Sequence, residues 1–307
     1  MFVAVAALSA GCDVSLDSGH EFSDSRTEIA TVTEIRLDGG DGAITIERGG
    51  GTSVQIERHV WYRASKPSAR SDRLDGTTLV LDTRCGRNCV IGYTVKVPTE
   101  VNVSGHLDTG PIDLTGVAAV TVDSDDGSID VRNASGDVSA RTDTGPIRLE
   151  TIAGTVTSRT SDGSISVSNA SKAVVAATDT GPIDLVKLAG TVEARTNDGS
   201  ITMDAIAGSV QAQTDTGPIQ GTNLGGTSTV ARTLDGSITL KLSTAQDVEA
   251  RTTTGPISLV VPALDGGYRV QTRSETGPTA VNVASSPTGT RYLALASRDG
   301  SITVNSA

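Results

Sequence analysis

Thr144-Gly-Pro-Ile-Arg-Leu149, Asp162-Gly-Ser-Ile-Ser-Val167 and Thr180-Gly-Pro-Ile-Asp-Leu185 follow one another at intervals of 18 residues. The glycine of this tripeptide recurs at Gly110, Gly127, Gly145, Gly163, Gly181, Gly199, Gly217, Gly236 and Gly255, with looser copies at Gly277 and Gly300. Isoleucine stands two residues after it in nearly every unit, and Leu, Val or Met usually two further on (Leu149, Val167, Met203). A polar turn and a second segment follow, such as Val138-Ser-Ala-Arg-Thr142. There the strand period of two puts Val, Ala and Thr on one face and Arg on the other. A unit this short buries its apolar face only by stacking on copies of itself. The repeat therefore predicts an all-β chain, a single-stranded parallel β-helix or β-solenoid of about 18 residues per coil. Its inward positions are expected at gaps of 2, 7, 2, 2 and 5, with a column of threonines (Thr142, Thr160, Thr178, Thr196, Thr214, Thr233, Thr252) facing in and glycine supplying a positive-φ turn.

The two kinds of turn alternate, so the finer repeat is two coils, 36 residues. Proline cannot donate to a ladder, and a serine between Pro111, Pro146, Pro182, Pro218 and Pro256 is expected to keep consecutive coils from lacking a donor. The acids alternate too. Asp126, Asp162, Asp198 and Asp235 stand directly before glycine, whereas Asp108, Asp143, Asp179 and Asp215 stand one residue earlier. Carboxylates of one column are thereby held two ladder spacings, ~9–10 Å, apart, which avoids the cost of like charges directly opposite.

Outside the regular coils of residues 105–307, residues 28–104 read as a less regular β region, with alternating segments such as Ala43-Ile-Thr-Ile46 and Tyr93-Thr-Val-Lys-Val97. Residues 13–27, rich in Ser and Asp, read as a polar tether, and the last strand, Ser301-Ile-Thr-Val304, as an edge with no cap after it.

Composition narrows the function. A net charge of −11 argues against nucleic acid and against direct binding to an anionic membrane surface. With aromatics at 2%, platforms for stacking bases or sugar rings are scarce. Residues 1–12 read as an export signal: Phe2-Val-Ala-Val-Ala-Ala-Leu8 is apolar but too short to span a bilayer. It runs into Leu8-Ser-Ala-Gly-Cys12, which resembles the lipobox of bacterial lipoproteins. That resemblance implies lipidation at Cys12 and a membrane-anchored protein facing outside the cytoplasm. An ordinary cleaved signal with an incidental cysteine is the other reading. Cys85 and Cys89 flank the turn-forming Gly86-Arg-Asn88, a spacing suited to a short-loop disulfide after export.

Each remaining motif has a plain reading beside its functional one. Asp126, Asp162, Asp198 and Asp235 are weak Ca²⁺ candidates, or else corner-holding Asx-turns. The nonapeptide of calcium-binding β-rolls is missing, so no metal site and no cofactor is assigned. The outward arginines (Arg141, Arg159, Arg195, Arg232, Arg251) would grip an acidic polymer, or pair with nearby Asp and stay solvated, which is favoured. Arg58-His-Val-Trp-Tyr-Arg63 holds the single Trp and reads as a packing anchor rather than a ligand patch. No His follows His106, and no nucleophile motif frames a serine, so no catalytic residue is assigned.

The Gly40-Asp-Gly-Ala-Ile44 turn, the Val95-Lys-Val-Pro98 strand end and the coils that follow resemble the bacterial "putative adhesin" family of β-strand-repeat proteins, a domain of unknown function, over about residues 28–305. The resemblance implies a cell-surface role and a β-helix-like fold. The resulting expectation is a non-enzymatic surface or envelope module meeting a cell-envelope macromolecule of unknown identity. An envelope scaffold or sensing component is the alternative, and an enzyme acting on polysaccharide stands third.

Overall fold

Each unit lays down one strand after its glycine and one before the next, and stacking sorts these into two sheets. The computed structural model describes residues 19–63, 65–67 and 70–307. Ile129–Ala134, Ile147–Ile152 and Ile165–Ala170 lie side by side in a 15-stranded sheet, and Val138–Thr144, Val156–Asp162 and Val174–Thr180 in a 14-stranded one. Regular coils pair in parallel and in register, Ile129 with Ile147, Ile165, Ile183 and Ile201 in turn. No helix occurs among the described residues. The fold is the β-solenoid that the repeat predicts.

One column of carbonyls accounts for both the threonines and the glycines. Thr142 Oγ1 donates to the Gly127 carbonyl at 3.1 Å, Thr160 to Gly145 at 3.2 Å, Thr178 to Gly163 at 3.1 Å and Thr214 to Gly199 at 3.0 Å. Each buried hydroxyl is thus satisfied by the neighbouring coil, as a dry interior requires. The same carbonyl blocks any side chain at the next glycine. A Cβ on Gly199 would lie 2.0 Å from Gly181 O, and one on Gly163 2.0 Å from Gly145 O.

The turn glycines are not all alike, which corrects the expectation of a uniform positive-φ turn. Gly145 and Gly181, in Thr-Gly-Pro, have φ of 122° and 131°. Gly163 and Gly199, in Asp-Gly-Ser, are not in that region, and glycine is required there by the close carbonyl alone. The ladder argument for proline also fails. The inter-coil bonds come from the flanking residues: Gly127 N donates to Thr144 O (3.1 Å) and Ile129 N to Pro146 O (3.0 Å). The residue between them, serine or proline, is not the donor of those bonds, so proline there gives none of them up.

The inward gaps are 2, 3, 4, 2, 2 and 5, because a further column is buried: Ala134, Ile152, Ala170, Leu188, Ile206 and Leu224. Each follows a left-handed residue, namely Asn133, Thr151, Asn169, Lys187, Ala205 and Asn223, with φ between 54° and 59°. That kink breaks the alternation and turns the next side chain inward. Asparagine tolerates it best, while Thr and Ala incur roughly 1 kcal/mol.

At both ends the stacking order departs from the chain order. Glu34–Asp38 and Ile44–Arg48 lie directly on Asn102–Thr109 and Ile112–Thr115, and Thr78–Leu81 with Cys89–Val97 adds a coil on their other side. Antiparallel strands end both sheets here, Val54–Tyr62 on Cys89–Val97 and His20–Glu28 on Val54–Tyr62 in one, the short Arg73–Asp75 on Thr78–Leu81 in the other. Residues 20–27, read above as tether, are therefore part of a strand, His20–Glu28. Their alternate side chains Phe22, Asp24 and Arg26 turn toward the protein, where charges meet them. Asp24 accepts from Arg58 at 2.6 Å and from Arg70, and Asp72 pairs with Arg70 (2.9 Å) and Arg26 (3.2 Å). Arg58, inward by the parity of Val54, Ile56 and Val60, is 2% exposed. Cys85 and Cys89 are disulfide-bonded, with Cα atoms 5.6 Å apart.

At the other end, Asp247–Thr254 and Ile257–Val261 pair with the last strands of the chain, Tyr292–Asp299 and Ile302–Ser306. Arg269–Ser274 and Thr279–Asn282 are earlier in sequence but outermost in space. The final strand is thus interior, contrary to its reading as an uncapped edge. The crossing also restores the alternation of turns. Gly255 and Gly277 are successive Thr-Gly-Pro units in sequence, yet the Asp-Gly-Ser unit of Gly300 sits between them. Ile302 N accordingly donates to Pro278 O at 2.9 Å, as Ile238 N does to Pro256 O at 3.0 Å.

Candidate functional site

Inward side chains are committed to packing, so recognition falls to the outward columns and the ends. On the 14-stranded sheet one outward column reads, in stacking order, Asp38, His106, Asp123, Arg141, Arg159, Ala177, Arg195, Gln213, Arg232, Arg251, Ala296, Arg273. Two residues further along each strand stands a second set: Asp108, Asp125, Asp143, Ser161, Asp179, Asn197, Asp215, Leu234, Thr253, Arg298, Glu275. Read together, the columns change sign along the rod.

The acidic end centres on His106. Its Nδ1 is hydrogen-bonded to Asp123, and its Nε2 lies 3.2 Å from Asp108 and 3.9 Å from Asp125. Partial burial works to lower the imidazole pKa. The hydrogen bond to Asp123 and the charges of Asp123, Asp125 and Asp108 outweigh it and hold the group above its ordinary value. Ligand atoms of His106, Asp108 and Asp125 lie within 4.8 Å of one another, a set that sequence reasoning missed because Asp125 stands on the next coil, 17 residues beyond Asp108. All three are exposed to solvent in part, and each already has an ion-pair partner in the others.

The four aspartates weighed above for Ca²⁺ are placed differently. Asp126 and Asp162 accept the hydroxyls of Thr144 and Thr180 from the following coils. Asp198 and Asp235 have threonines opposite them, Thr180 and Thr216 for the first, Thr216 and Thr254 for the second. The structure does not bring these four carboxylates together. Cys12 lies outside the described residues. Trp61 is half-buried beside Val60, with the Arg63 guanidinium 5.5 Å from its ring centre.

The basic end forms an open concavity of about 470 Å³ over the last coils. Arg232, Arg251, Arg273 and Arg298 line it, with Leu234, Thr253 and Ala296 among the smaller residues. Ala296 sits in register between Arg251 and Arg273, so its short side chain leaves a gap with a guanidinium on each side. Glu249 pairs with Arg232 at 2.8 Å and with Arg251 at 2.9 Å. Glu275 is 3.6 Å from Arg273, and Asp299 is 3.3 Å from Arg298. Leu234 is 55% exposed where other Asp-Gly-Ser units carry Asp125, Ser161 or Asn197. Sequence reasoning picked out Arg232 and Arg251 but missed Arg273 and Arg298, because the chain crossing brings them into the same groove. The signals in the sequence were Leu234 and Thr253 in the second column, where most earlier coils carry acids or amides, and the two successive Thr-Gly-Pro units at Gly255 and Gly277.

Comparison with known proteins gives a family and a set of remote structural likenesses. The family model described as Toastrack DUF4097 matches residues 32–306. A "putative adhesin" from Bacteroides fragilis is 14% identical, covering 95% of this chain and 99% of its own, with a TM-score of 0.36. Another from Parabacteroides distasonis is 13% identical, covering 95% and 98%, with a TM-score of 0.28. A "putative cell adhesion protein" from Clostridium sporogenes is 8% identical, covering 93% and 100%, with a TM-score of 0.21. No curated protein matches the chain.

Proposed function

The chain belongs to the Toastrack DUF4097 family, a family whose name carries no activity, and from its own surface we propose that it is an exported, non-enzymatic interaction module held at the membrane by a lipid on Cys12. One observation carries this reading. The loudest sequence motifs are used up in architecture, the threonines and glycines by the carbonyl column, and Asp126 and Asp162 of the Asp-Gly-Ser turns by threonine hydroxyls. The outward face meanwhile gathers four arginines in one groove of a chain whose net charge is −11. Fixed side-chain columns on a stiff rod suit multi-point contact with an extended surface partner, a macromolecule of the cell envelope. Adhesion to such a partner is the first function assigned.

The alternative, an envelope scaffold, draws on the same end of the molecule, where Thr279–Asn282 is an edge strand exposed along its length. The test begins with palmitate labelling of cells making the protein and its Cys12→Ala variant. Label and membrane fractionation are expected for the first and lost in the second. Continued lipidation of the variant would remove the anchor from the account. Capture of intact cells by purified protein supports adhesion, and turnover of envelope polysaccharide would replace it with an enzyme.

A further inference from the structure

We propose that the arginine groove over the last coils binds a linear phosphodiester polymer whose backbone is a simple polyol, a reading that rests on the surface-module function above. Four guanidiniums carry the argument. Arg232 and Arg251 are neighbours in the ladder, and Arg273 lies two rungs beyond Arg251. At ~4.8 Å per rung the three span roughly 14 Å, more than one small anion bridges. A ligand that satisfies them carries several negative groups along a line. Guanidinium offers five donors in a fixed fork matched to phosphate or carboxylate oxygens. The carboxylates already present leave many of these donors free, because Arg251, Arg273 and Arg298 keep side-chain exposures of 62%, 79% and 60%.

The lining decides between kinds of polyanion. Among the described residues no aromatic lines the concavity; beside the arginines it is lined by Ala, Leu, Ser, Thr and Gln213, with two carboxylates, Asp215 and Glu275, the latter beside Arg273. Single-stranded bases gain affinity by stacking on aromatic side chains, an increment this lining does not provide. A polyol phosphate needs no such platform; its charge repeats on a thin, flexible chain. The net charge of −11 does not oppose this. Seven rungs separate His106 from Arg232 in the outward column, about 34 Å. The Debye length at physiological salt is about 8 Å, so the acidic cluster is screened from the groove.

The experiment measures binding of fluorescent poly(glycerol phosphate) oligomers to the purified chain, with polygalacturonate and single-stranded DNA of equal charge as parallel arms. The expected result is preference for the polyol phosphate, weakening with salt, and at least a tenfold loss in Arg251→Glu/Arg273→Glu. Arg141→Glu/Arg159→Glu, in the same column but outside the groove, is expected to change affinity less than threefold. These side chains are exposed, and thermal melting confirms that the variants fold. Equal loss in both double variants would make the attraction non-specific and overturn the site. Equal or tighter binding of either other polymer would overturn the ligand class, and no binding would overturn both. If the chain still captures cells while ignoring all three polymers, the surface-module reading stands and only this assignment falls.

Discussion

The two ends of the rod are finished in opposite ways. At the N-terminal end the sheet is closed by antiparallel strands, His20–Glu28 over Val54–Tyr62, and charges are drawn inward, with Arg58 and Asp72 nearly inaccessible. At the C-terminal end the outermost coil, Arg269–Ser274 and Thr279–Asn282, is short and parallel and leaves both strands as edges. Arg273 on this coil and Arg298 on the rung inside it stay in solvent, loosely paired. A stack of equal coils would fray alike at both ends. Here one end is secured by buried ion pairs and the other keeps its charge available for contact. Like groups therefore carry different energies, according to the end at which they sit.

The largest contrast is expected between carboxylates. Asp72 has no exposed side-chain surface and serves Arg70 and Arg26. Removing one partner of a buried pair costs about 3–5 kcal/mol, and loss of Asp72 leaves Arg26 without its carboxylate and Arg70 with Asp24 alone. Asp72→Ala should lose about that in urea unfolding, whereas Glu275→Gln at the open end should lose less than about 1 kcal/mol, as exposed pairs do. Equal losses would show that the N-terminal network is no cap.

A smaller effect tests the same end by pH. Burial pushes the Tyr93 phenol up to about 12, with the nearby Asp72 charge adding to it, against the opposing pull of the Ser71 hydrogen bond and of Arg58 and Arg70. The folded chain thus favours the protonated phenol. Its contribution is complete below the unfolded value near 10 and is lost as pH rises through about 12. Two units correspond to roughly 2–3 kcal/mol, so the wild type should lose this much more stability than Tyr93→Phe between pH 10 and 12. Parallel pH curves for the two proteins would contradict it.

Much of this was legible in the sequence, and what was not has identifiable causes. The 18-residue step gave the solenoid, and the parity of Val138, Ala140 and Thr142 gave the inward face, because parallel in-register stacking repeats each environment coil after coil. The column of Ala134, Ile152 and Leu188 was hidden because the left-handed residue before each one breaks the period of two. Arg58 shares the inward parity of Ile56 and Val60, but its partners Asp24 and Asp72 lie on other segments that only the fold brings near. The arginine groove depended on the last two coils changing places. The trace of that exchange in the sequence is slight, two Thr-Gly-Pro units in succession at Gly255 and Gly277. Register can be read from a repeat; the order in which the chain visits the rungs cannot.

Amide hydrogen exchange along the free protein tests the contrast between the ends most directly. Tyr93 and Val95 are paired on both sides, by Ile44–Arg48 and by Val54–Tyr62, and their strand should exchange only with global unfolding. Arg269–Ser274 and Thr279–Asn282 should exchange orders of magnitude faster, with protection rising rung by rung inward. Equal protection at the two ends, or fraying that starts from His20–Glu28 and spreads through Cys89–Val97, would contradict a rod closed at one end and open at the other.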